Sequence, residues 1–288
     1  PGSRAGALYG GTRKDTPGAL ALGVFFCVLL SLLASPVLAR AALPAGSGAD
    51  ANCSLPDGLP RSVRPVAVRR VQDGDSFIAA DGRTVRLIGV NTPELGGKGR
   101  AGEPLSRQAK AFVDDFVRSH PQLVLVPGSE PRDNHGRHLM HVYTPQGQSL
   151  EALLVANGLG WAVAVPPNLA LADCLAALER TARKAGLGVW QDNRTVSSRE
   201  IAAGGFQRVA GKVERVVFAR NWWINLEGGL AGVIYPEHQD NFKRAQLRDL
   251  EGKRVVLRGW VYPSRARDGK PWRVKVETVY AIEGLAPR

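Results

Sequence analysis

The alternation of apolar and polar residues from residue 66 onward predicts short strands separated by turns. Runs rich in β-branched residues are flanked by turn residues, as expected for half-buried strands. The first three predicted strands are Val66–Gln72, Ser76–Ala80 and Thr84–Val90. Asp81-Gly82 joins the last two and is a strong signal for a two-residue hairpin. A helix is predicted from Glu103-Pro104 to about Arg118, because proline suits the first helical turn.

Two further strands and two helices complete this pattern. The strands are predicted at Leu123–Pro127 and Arg137–Thr144, and the helices at Leu150–Asn157 and Leu169–Ala185. Gly186 follows the last helix, a position where glycine commonly ends helices. Three strands, a helix, two strands and closing helices are the order of a five-stranded OB barrel. The predicted fold is therefore mainly β with α, an OB-fold barrel with flanking helices.

The same order of elements returns after a polar, glycine-containing stretch. Strands are predicted at Val209–Phe218, Trp222–Leu226, Leu230–Tyr235, Arg254–Tyr262 and Trp272–Val276, with a helix at Glu237–Leu250. This order predicts a second OB-like β domain. The chain is therefore predicted to contain an OB-fold domain at 63–192, a linker at 193–204 and a basic OB-like domain at 205–288.

The N-terminal segment has the layout of a secretory signal peptide. Basic residues precede an uncharged apolar run from Ala19 to Leu33, and small residues follow at cleavage spacing around Ala39 and Ala41. We interpret 1–41 as a signal peptide and 42–62 as a linker, which predicts a secreted or periplasmic protein. An uncleaved membrane anchor is the alternative.

Two cysteines remain after such a cleavage. Cys53 and Cys174 are an even number in a compartment that permits disulfides, so a bond between them is predicted. Two buried thiols are the other arrangement that the sequence allows.

The charge indicates a polyanionic partner. The chain has a formal net charge of +12, and residues 205–288 hold sixteen Lys and Arg against nine Asp and Glu. Nucleic acid or an anionic surface fits this charge, although high charge also serves solubility. An OB face that combines basic and aromatic residues commonly holds single strands. In the second domain, the residues predicted to bind nucleic acid are Trp222, Arg265, Arg267 and Lys270. The alternative is that the tryptophan packs in the core and the charged residues form a solvated face.

The predicted hairpin brings an acid and an arginine together. A two-residue turn at Asp81-Gly82 pairs Ala80 with Arg83 and places Phe77 opposite Arg86. Asp75 is then on the face of Arg86 and diagonal to it. Taken alone, this pair also fits an ordinary surface salt bridge, which contributes little to stability.

Oxygen-bearing residues follow the strand of Arg86. Asn91, the Thr92 carbonyl and Glu94 form a group of hard oxygens, which suits Ca²⁺. A carboxylate beside such an ion accepts a proton from water or orients it. The turn that begins at Asp133 delivers a second arginine, Arg137. Two arginines and a divalent cation are what a phosphodiester displacement requires, because charge accumulates on the phosphorane oxygens.

These motifs together resemble the active-site signature of the staphylococcal (micrococcal) nuclease family. The resemblance spans about residues 66–191 and rests on Asp73–Ser76, Val85–Glu94, Asp133 with Gly136-Arg137, Ala156–Gly160 and Gly186–Trp190. It implies a Ca²⁺-dependent endonuclease that acts on DNA and RNA and leaves 3′-phosphate ends. It also implies roles: Asp75, Asn91 and Thr92 as metal ligands, Glu94 as base or water-orienting group, and Arg86 and Arg137 as phosphate clamps.

The chain departs from the family pattern at several positions. Asn91 stands where the family commonly has aspartate, which removes one negative charge and is expected to weaken metal binding. His135 stands where the best-known member has a tyrosine, and we expect it to contact a phosphate. The tyrosines expected after Gly158-Leu159 are absent, and Trp161, the only aromatic residue nearby, either packs in the core or stacks on a base.

Two other classes of function stay open at this stage. The first is a non-catalytic nucleic-acid-binding protein on a nuclease scaffold, and Asn91 is the residue that favours it. The second is a binder of an anionic cell-envelope surface, which rests on charge alone. The retention of Asp75, Arg86, Glu94 and Arg137 together favours the enzyme.

Overall fold

The computed structural model describes residues 53–97, 99, 101–265 and 268–285. The predicted signal peptide, its cleavage site and the start of the first linker lie outside these residues. Within the described ranges, no helix is long and apolar enough to cross a bilayer.

Short strands and three helices form the first half of the described chain. In chain order they are β1 (Val68–Val71), β2 (Ser76–Ala79), β3 (Thr84–Leu87), β4 (Val90–Asn91), α1 (Ser106–Ser119), β5 (Val124–Arg132), β6 (His138–Tyr143), α2 (Leu150–Ala156), β7 (Trp161–Ala162) and α3 (Ala172–Lys184). A 3₁₀ turn at Gly188–Trp190 follows.

Five of these strands close into a barrel. They are hydrogen-bonded in the order β1-β2-β3-β6-β5, and β3 and β6 run parallel. A bridge between Val66 and Leu123 joins the two edge segments and removes the open edge. The buried side chains of Phe77, Val85 and Leu150 belong to one apolar core inside and beside the barrel. The prediction of an OB barrel is confirmed.

The hairpin between β2 and β3 has a different register from the predicted one. Ser76, not Phe77, pairs with Arg86, because the turn between Ala79 and Arg83 contains three residues. Gly82 takes a φ of +89°, as is common for glycine at the end of a three-residue loop. The pairing of β2 with β3 is therefore shifted by one residue from the predicted register. Phe77 is buried in the core.

The second half of the described chain forms another barrel. Its strands are β8 (Val196–Ser197), β9 (Gly205–Phe218), β10 (Trp222–Leu226), β11 (Leu230–Ile234), β12 (Arg254–Pro263) and β13 (Trp272–Lys275). The sheet order is β10-β11-β13-β12-β9-β8, and an additional β10–β9 pairing closes it. β11 and β13 run parallel, as β3 and β6 do in the first barrel. β8 comes from the segment predicted as a linker and pairs with β9.

The helix predicted at Glu237–Leu250 is wrong as a single element. A 3₁₀ turn at Pro236–Asn241 and a short helix, α4 (Arg244–Arg248), take its place. Phe242 lies between them in extended conformation and is buried in the core of the second barrel. Burial of this apolar ring stabilises the interrupted arrangement.

Two connections fix parts of this fold. Cys53 and Cys174 form a disulfide across a sequence separation of 121, which confirms the predicted pairing. The bond attaches the lead-in segment to α3, whose face toward Leu175 and Ala182 is buried. Across the two barrels, Arg258 of β12 forms a buried ion pair with Glu179 of α3.

Candidate active site

The turn between β1 and β2 carries the first acids of the site. The Asp73 carboxylate accepts the backbone N–H of Asp75 at 3.0 Å and so closes a tight local turn. Gly74 lies between them, and a Cβ at this position would approach the Cβ of Ala109 and the Oγ1 of Thr92 to 2.7 Å each. Glycine is therefore required for the close approach of this turn to Thr92 and helix α1.

The Asp75 carboxylate accepts three hydrogen bonds. The residue is only 5% exposed. The Oδ2 atom accepts the Thr92 backbone N–H at 2.8 Å and the Thr92 hydroxyl at 3.0 Å, and Oδ1 accepts the Ser76 hydroxyl at 3.1 Å. These bonds join the β1–β2 turn to the segment after β4.

Arg86 meets Asp75, as the sequence predicted, with its Nη2 atom 3.3 Å from Oδ2. The predicted reason was wrong. In the observed register Asp75 lies outside β2, and the turn, not the strand alternation, directs its carboxylate toward Arg86. The other contacts of Arg86 are to the carbonyls of Leu87 and Val90 and to the Oδ1 of Asn91 at 3.1 Å. The planar guanidinium satisfies several acceptors at once, which a lysine ammonium does not reproduce.

Asn91 and Thr92 are held by a short ribbon beside the barrel. Asn91 ends β4, pairs with Trp161 of β7, and is buried. Gly160 lets the ribbon close, because a Cβ there would lie 2.9 Å from the Asn91 carbonyl oxygen. The structure thus brings together Asp75, Arg86, Asn91 and Thr92, four of the residues selected from the sequence.

Glu94 follows Thr92 by two residues and is exposed. Its backbone N–H donates to the Glu103 carboxylate at 2.9 Å, and the Glu103 N–H donates back to the Glu94 carbonyl at 2.9 Å. This reciprocal pair fixes the backbone from which the Glu94 side chain extends. Glu103 is a supporting residue that sequence reasoning missed, and its position at the start of the predicted helix was the available signal.

Arg137 is anchored by its own turn. Asp133 accepts its backbone N–H at 2.9 Å and its Nε at 2.7 Å. Burial raises the pKa of Asp133. The hydrogen bonds from Arg137 lower it by a larger amount, so the net shift of this pKa is downward. Arg137 comes directly before β6, in which Leu139 pairs with Arg86 on the neighbouring strand. His135 is exposed at the tip of this turn.

Asp73 was not assigned a role from the sequence. Burial, with the neighbouring Asp75 carboxylate as the second cause, raises its pKa to about 6. The carboxylates of Asp73 and Asp75 and the amide oxygen of Asn91 lie in a single turn-and-ribbon cluster, and the Thr92 backbone follows Asn91 directly. This all-oxygen donor set fits a hard divalent cation. Among the described residues, no group of three or more His, Cys, Asp or Glu side chains forms a metal cluster, so amide and carbonyl oxygens are needed to complete a coordination shell.

Of the positions selected in the second barrel, Trp222 and Lys270 are engaged within the domain, and the alternative of a packed tryptophan is the one observed. Trp222 is 6% exposed, with Phe218 and Arg244 against its ring, because it belongs to the core. The Lys270 ammonium donates to the Glu214 carboxylate at 2.8 Å and to the Leu226 carbonyl at 2.6 Å, which holds it within the domain. Arg265 is exposed. Arg267 lies outside the described residues.

A buried ion pair between the barrels also reaches the site, and no sequence pattern indicated it. Glu179 accepts the Ala162 backbone N–H at 2.8 Å, and Arg258 donates to the Ala162 carbonyl. Ala162 pairs with Val90, the residue before Asn91. Both backbone polar groups of Ala162 are thus held by residues whose side chains also bind each other.

The fold and the site together define a class. An OB barrel with a buried acid, a guanidinium and hard oxygens at one end is suited to binding and displacing a phosphodiester. This class is that of the OB-fold nucleases.

Comparisons with known proteins agree with the geometry. The family model described as staphylococcal nuclease homologue matches residues 84–192. The thermonuclease of Staphylococcus intermedius is 32% identical over 127 residues, which cover 43% of this chain and 74% of that protein. The thermonuclease of Staphylococcus hyicus is 27% identical over 128 residues, 43% of this chain and 75% of that protein. A protein of Escherichia coli O157:H7 named as an uncharacterized endonuclease is 28% identical over 134 residues, 43% and 76% of the two chains.

The chain belongs to the staphylococcal nuclease family, and its reaction class is that of a nuclease, a hydrolase of phosphodiester bonds. The family match ends at residue 192, before the second barrel begins.

Proposed function

We propose that the protein is an exported, Ca²⁺-dependent endonuclease that hydrolyses DNA and RNA, with single strands favoured, and leaves 3′-phosphate ends. The observation that carries this proposal is the buried contact of Arg86 with both Asp75 and Asn91. This contact supports the proposal because a guanidinium beside the cation ligands is suited to binding the phosphate next to the cation.

Asp75, Asn91 and the Thr92 carbonyl would hold the cation, with Asp73 beside them. Bound Ca²⁺ supplies Lewis-acid polarisation of the phosphate and offsets its negative charge. The Asn91 amide contributes an oxygen without a charge, so we expect weaker binding than an aspartate would give.

The remaining steps belong to side chains of this protein. Glu94 accepts a proton from the attacking water, or orients that water. Arg86 and Arg137 donate to the phosphate oxygens as charge accumulates on them, with Arg137 also near the leaving oxygen. Asp133 holds Arg137 by its Nε and so fixes its direction. His135, exposed beside Arg137, contacts a terminal phosphate.

Cleavage of single-stranded DNA by the purified protein tests the proposal. We expect degradation with added Ca²⁺ and none with a chelator, and products that gain a free 3′-hydroxyl on phosphatase treatment. Intact DNA under both conditions contradicts the enzyme. Binding without cleavage would instead favour the non-catalytic scaffold.

Glu94→Gln tests the proposed base. We expect turnover to fall by about 10²- to 10⁴-fold with an unchanged melting temperature. Glu200→Gln, at an exposed carboxylate after β8, is the matched control and should keep full activity. Equal rates in both variants would remove Glu94 from its role.

Asn91→Asp tests the metal site. The added charge should lower the Ca²⁺ concentration that gives half-maximal activity and tighten binding measured by calorimetry. An unchanged Ca²⁺ requirement would show that this side chain is not a ligand.

Export is supported by the apolar N-terminal run and by the Cys53–Cys174 disulfide, since such bonds persist in oxidising compartments. N-terminal sequencing of protein recovered from the periplasm or medium should place the mature start after Ala39 or Ala41. A retained apolar run would favour the membrane anchor.

A further inference from the structure

Three aromatic rings form a continuous row at the junction of the two barrels. The ring of Trp161 contacts Phe206, and Phe206 contacts Trp260, with 5.3 Å between centroids in each case. Phe206 and Trp260 are also cross-strand partners on β9 and β12. We call Trp161, Phe206 and Trp260 the aromatic row.

The row begins next to the proposed catalytic cluster. Trp161 is paired directly with Asn91 in the β4–β7 ribbon. Side chains of directly paired residues extend to the same side of a ribbon, so Trp161 flanks Asn91. The row therefore leads from the cluster onto the second barrel.

The far end of the row is open to solvent. Trp260 is 46% exposed, a large value for a tryptophan in a folded domain, whereas Trp161 and Phe206 are half-buried. Beside Trp260 lies a groove of about 290 Å³ between the β7 segment and strands β12 and β13. Val165, Tyr262 and Lys275 are among its lining residues.

The chemistry of the groove suits one kind of ligand. Flat aromatic faces at intervals stack on nucleobases, and a cation beside them meets the phosphate backbone. Lys275 is exposed at the groove and supplies that cation. The domain that carries it has sixteen Lys and Arg against nine Asp and Glu. An acidic polymer with planar, apolar side groups matches both properties, and a single-stranded nucleic acid is such a polymer.

We propose that the aromatic row is a base-stacking subsite for the single strand that enters or leaves the catalytic cluster, with Trp260 as its principal contact and Lys275 as its phosphate contact. The proposal rests on the proposed nuclease function and adds the part of the second barrel that binds the substrate. It places this binding at the junction of the barrels.

Binding in the presence of a chelator tests the subsite separately from hydrolysis. The full-length protein is titrated into fluorescein-labelled oligothymidylate, and the dissociation constant is obtained from anisotropy at fixed salt. Trp260→Ala should weaken binding by about 5- to 100-fold, the effect of removing one stacked base. Wild-type affinity in this variant would overturn the proposal.

The shape of the replacement separates stacking from simple apolar contact. Trp260→Tyr keeps a flat ring and should stay within a few-fold of the wild type, whereas Trp260→Leu keeps apolar area and should bind as weakly as the alanine variant. If leucine restores affinity, the groove recognises an apolar group and the stacking proposal is wrong. Melting temperatures will check that each variant is folded, which we expect because the side chain is exposed.

Trp223 provides the matched control on the same barrel. Its half-buried ring is covered by Arg273, at 5.2 Å, and lines a separate groove with Lys270. Trp223→Ala should leave oligonucleotide binding within about twofold of wild type. A loss in this variant with none in Trp260→Ala would place the strand on that other groove and overturn the proposal.

Salt dependence tests Lys275. Lys275→Gln should reduce the slope of log affinity against log salt by about 0.7, the value for one phosphate contact on a single strand. An unchanged slope would remove Lys275 from the subsite. These measurements need no cleavage, so a negative result in the Ca²⁺ cleavage assay does not contradict the binding subsite. Likewise, unchanged binding by the Trp260 variants does not contradict the nuclease activity.

Discussion

Arg258 of the second barrel and Glu179 of the first form a buried ion pair, with N···O distances of 2.6 and 2.9 Å. Both also bind the backbone of Ala162, one through its carbonyl and one through its N–H. The two barrels are therefore joined at the ribbon that carries Asn91. A family match that ends before the second barrel does not include this connection.

Removing one partner of this pair should be costly. Arg258→Met leaves the Glu179 charge buried without its guanidinium, and we expect a loss of about 3–5 kcal/mol in the free energy of unfolding. Urea denaturation measures it. The double variant Glu179→Gln/Arg258→Met should recover part of that loss, because no buried charge is left unpaired. Arg199→Ala, which breaks an exposed pair with Glu227, is the control and should cost about 1 kcal/mol or less. Equal effects at Arg258 and Arg199 would contradict the buried role.

Glu283 makes the junction sensitive to acid. Burial raises its pKa, but the hydrogen bond and charge of Arg208, with the charges of Arg258 and Arg183, lower it more, so its pKa lies below the ordinary 4.5. A depressed pKa in the folded state contributes stability that is complete above pH 4.5 and is lost as pH falls through the folded value. The difference in melting temperature between wild type and Glu283→Gln should therefore be constant above about pH 5.5 and shrink below pH 4.5. If the difference in melting temperature between wild type and Glu283→Gln grew as the pH fell, the predicted role of Glu283 would be wrong.

Gly74 should be intolerant of a side chain. Alanine there would press on Ala109 and Thr92 at 2.7 Å, so the turn that carries Asp75 must shift away from Thr92. We expect Gly74→Ala to lower the free energy of unfolding by about 1–3 kcal/mol. Nuclease activity should fall even at temperatures where the variant is fully folded, because the turn that carries Asp75 is displaced. Gly97→Ala is the control, since a Cβ there meets nothing within 4 Å. Thermal unfolding and cleavage assays on both variants test this prediction. Equal melting temperatures and equal cleavage rates for the two variants would refute the packing argument.

The disulfide should matter for stability and much less for chemistry. A bond that closes a sequence separation of 121 restricts the unfolded chain, and its reduction should cost about 4–5 kcal/mol. The variant Cys53→Ser/Cys174→Ser, compared with wild type under oxidising and reducing conditions, measures this by denaturant unfolding. The reductant should have no effect on the variant. Equal stability of oxidised and reduced wild type would contradict the expectation.

Local patterns predicted the elements well where one face of each is buried. Trp222–Leu226 was predicted with its observed bounds, and the helix over Ser106–Ser119 was placed within a few residues. The single helix predicted at Glu237–Leu250 failed because burial of Phe242 overrides the local helical pattern. The two-residue strand Trp161–Ala162 was missed, since its pairing with β4 is specified by distant residues.

The chemical identity of the candidate site was contained in the sequence. The spacing of Asp75, Arg86, Asn91 and Arg137 identified the family, and the even cysteine count predicted the pair that forms. These features depend on which residues are present and on their local order, which a linear chain records directly.

Tertiary structure decided which of these groups contact each other and how. A three-residue turn shifts the β2–β3 register by one, and the β1–β2 turn then directs Asp75 to Arg86. The junction formed by Glu179 and Arg258, 79 residues apart, and the aromatic row likewise arise only when two barrels pack together. Such contacts follow from the packing of whole elements, because non-local pairing depends on how every intervening segment folds.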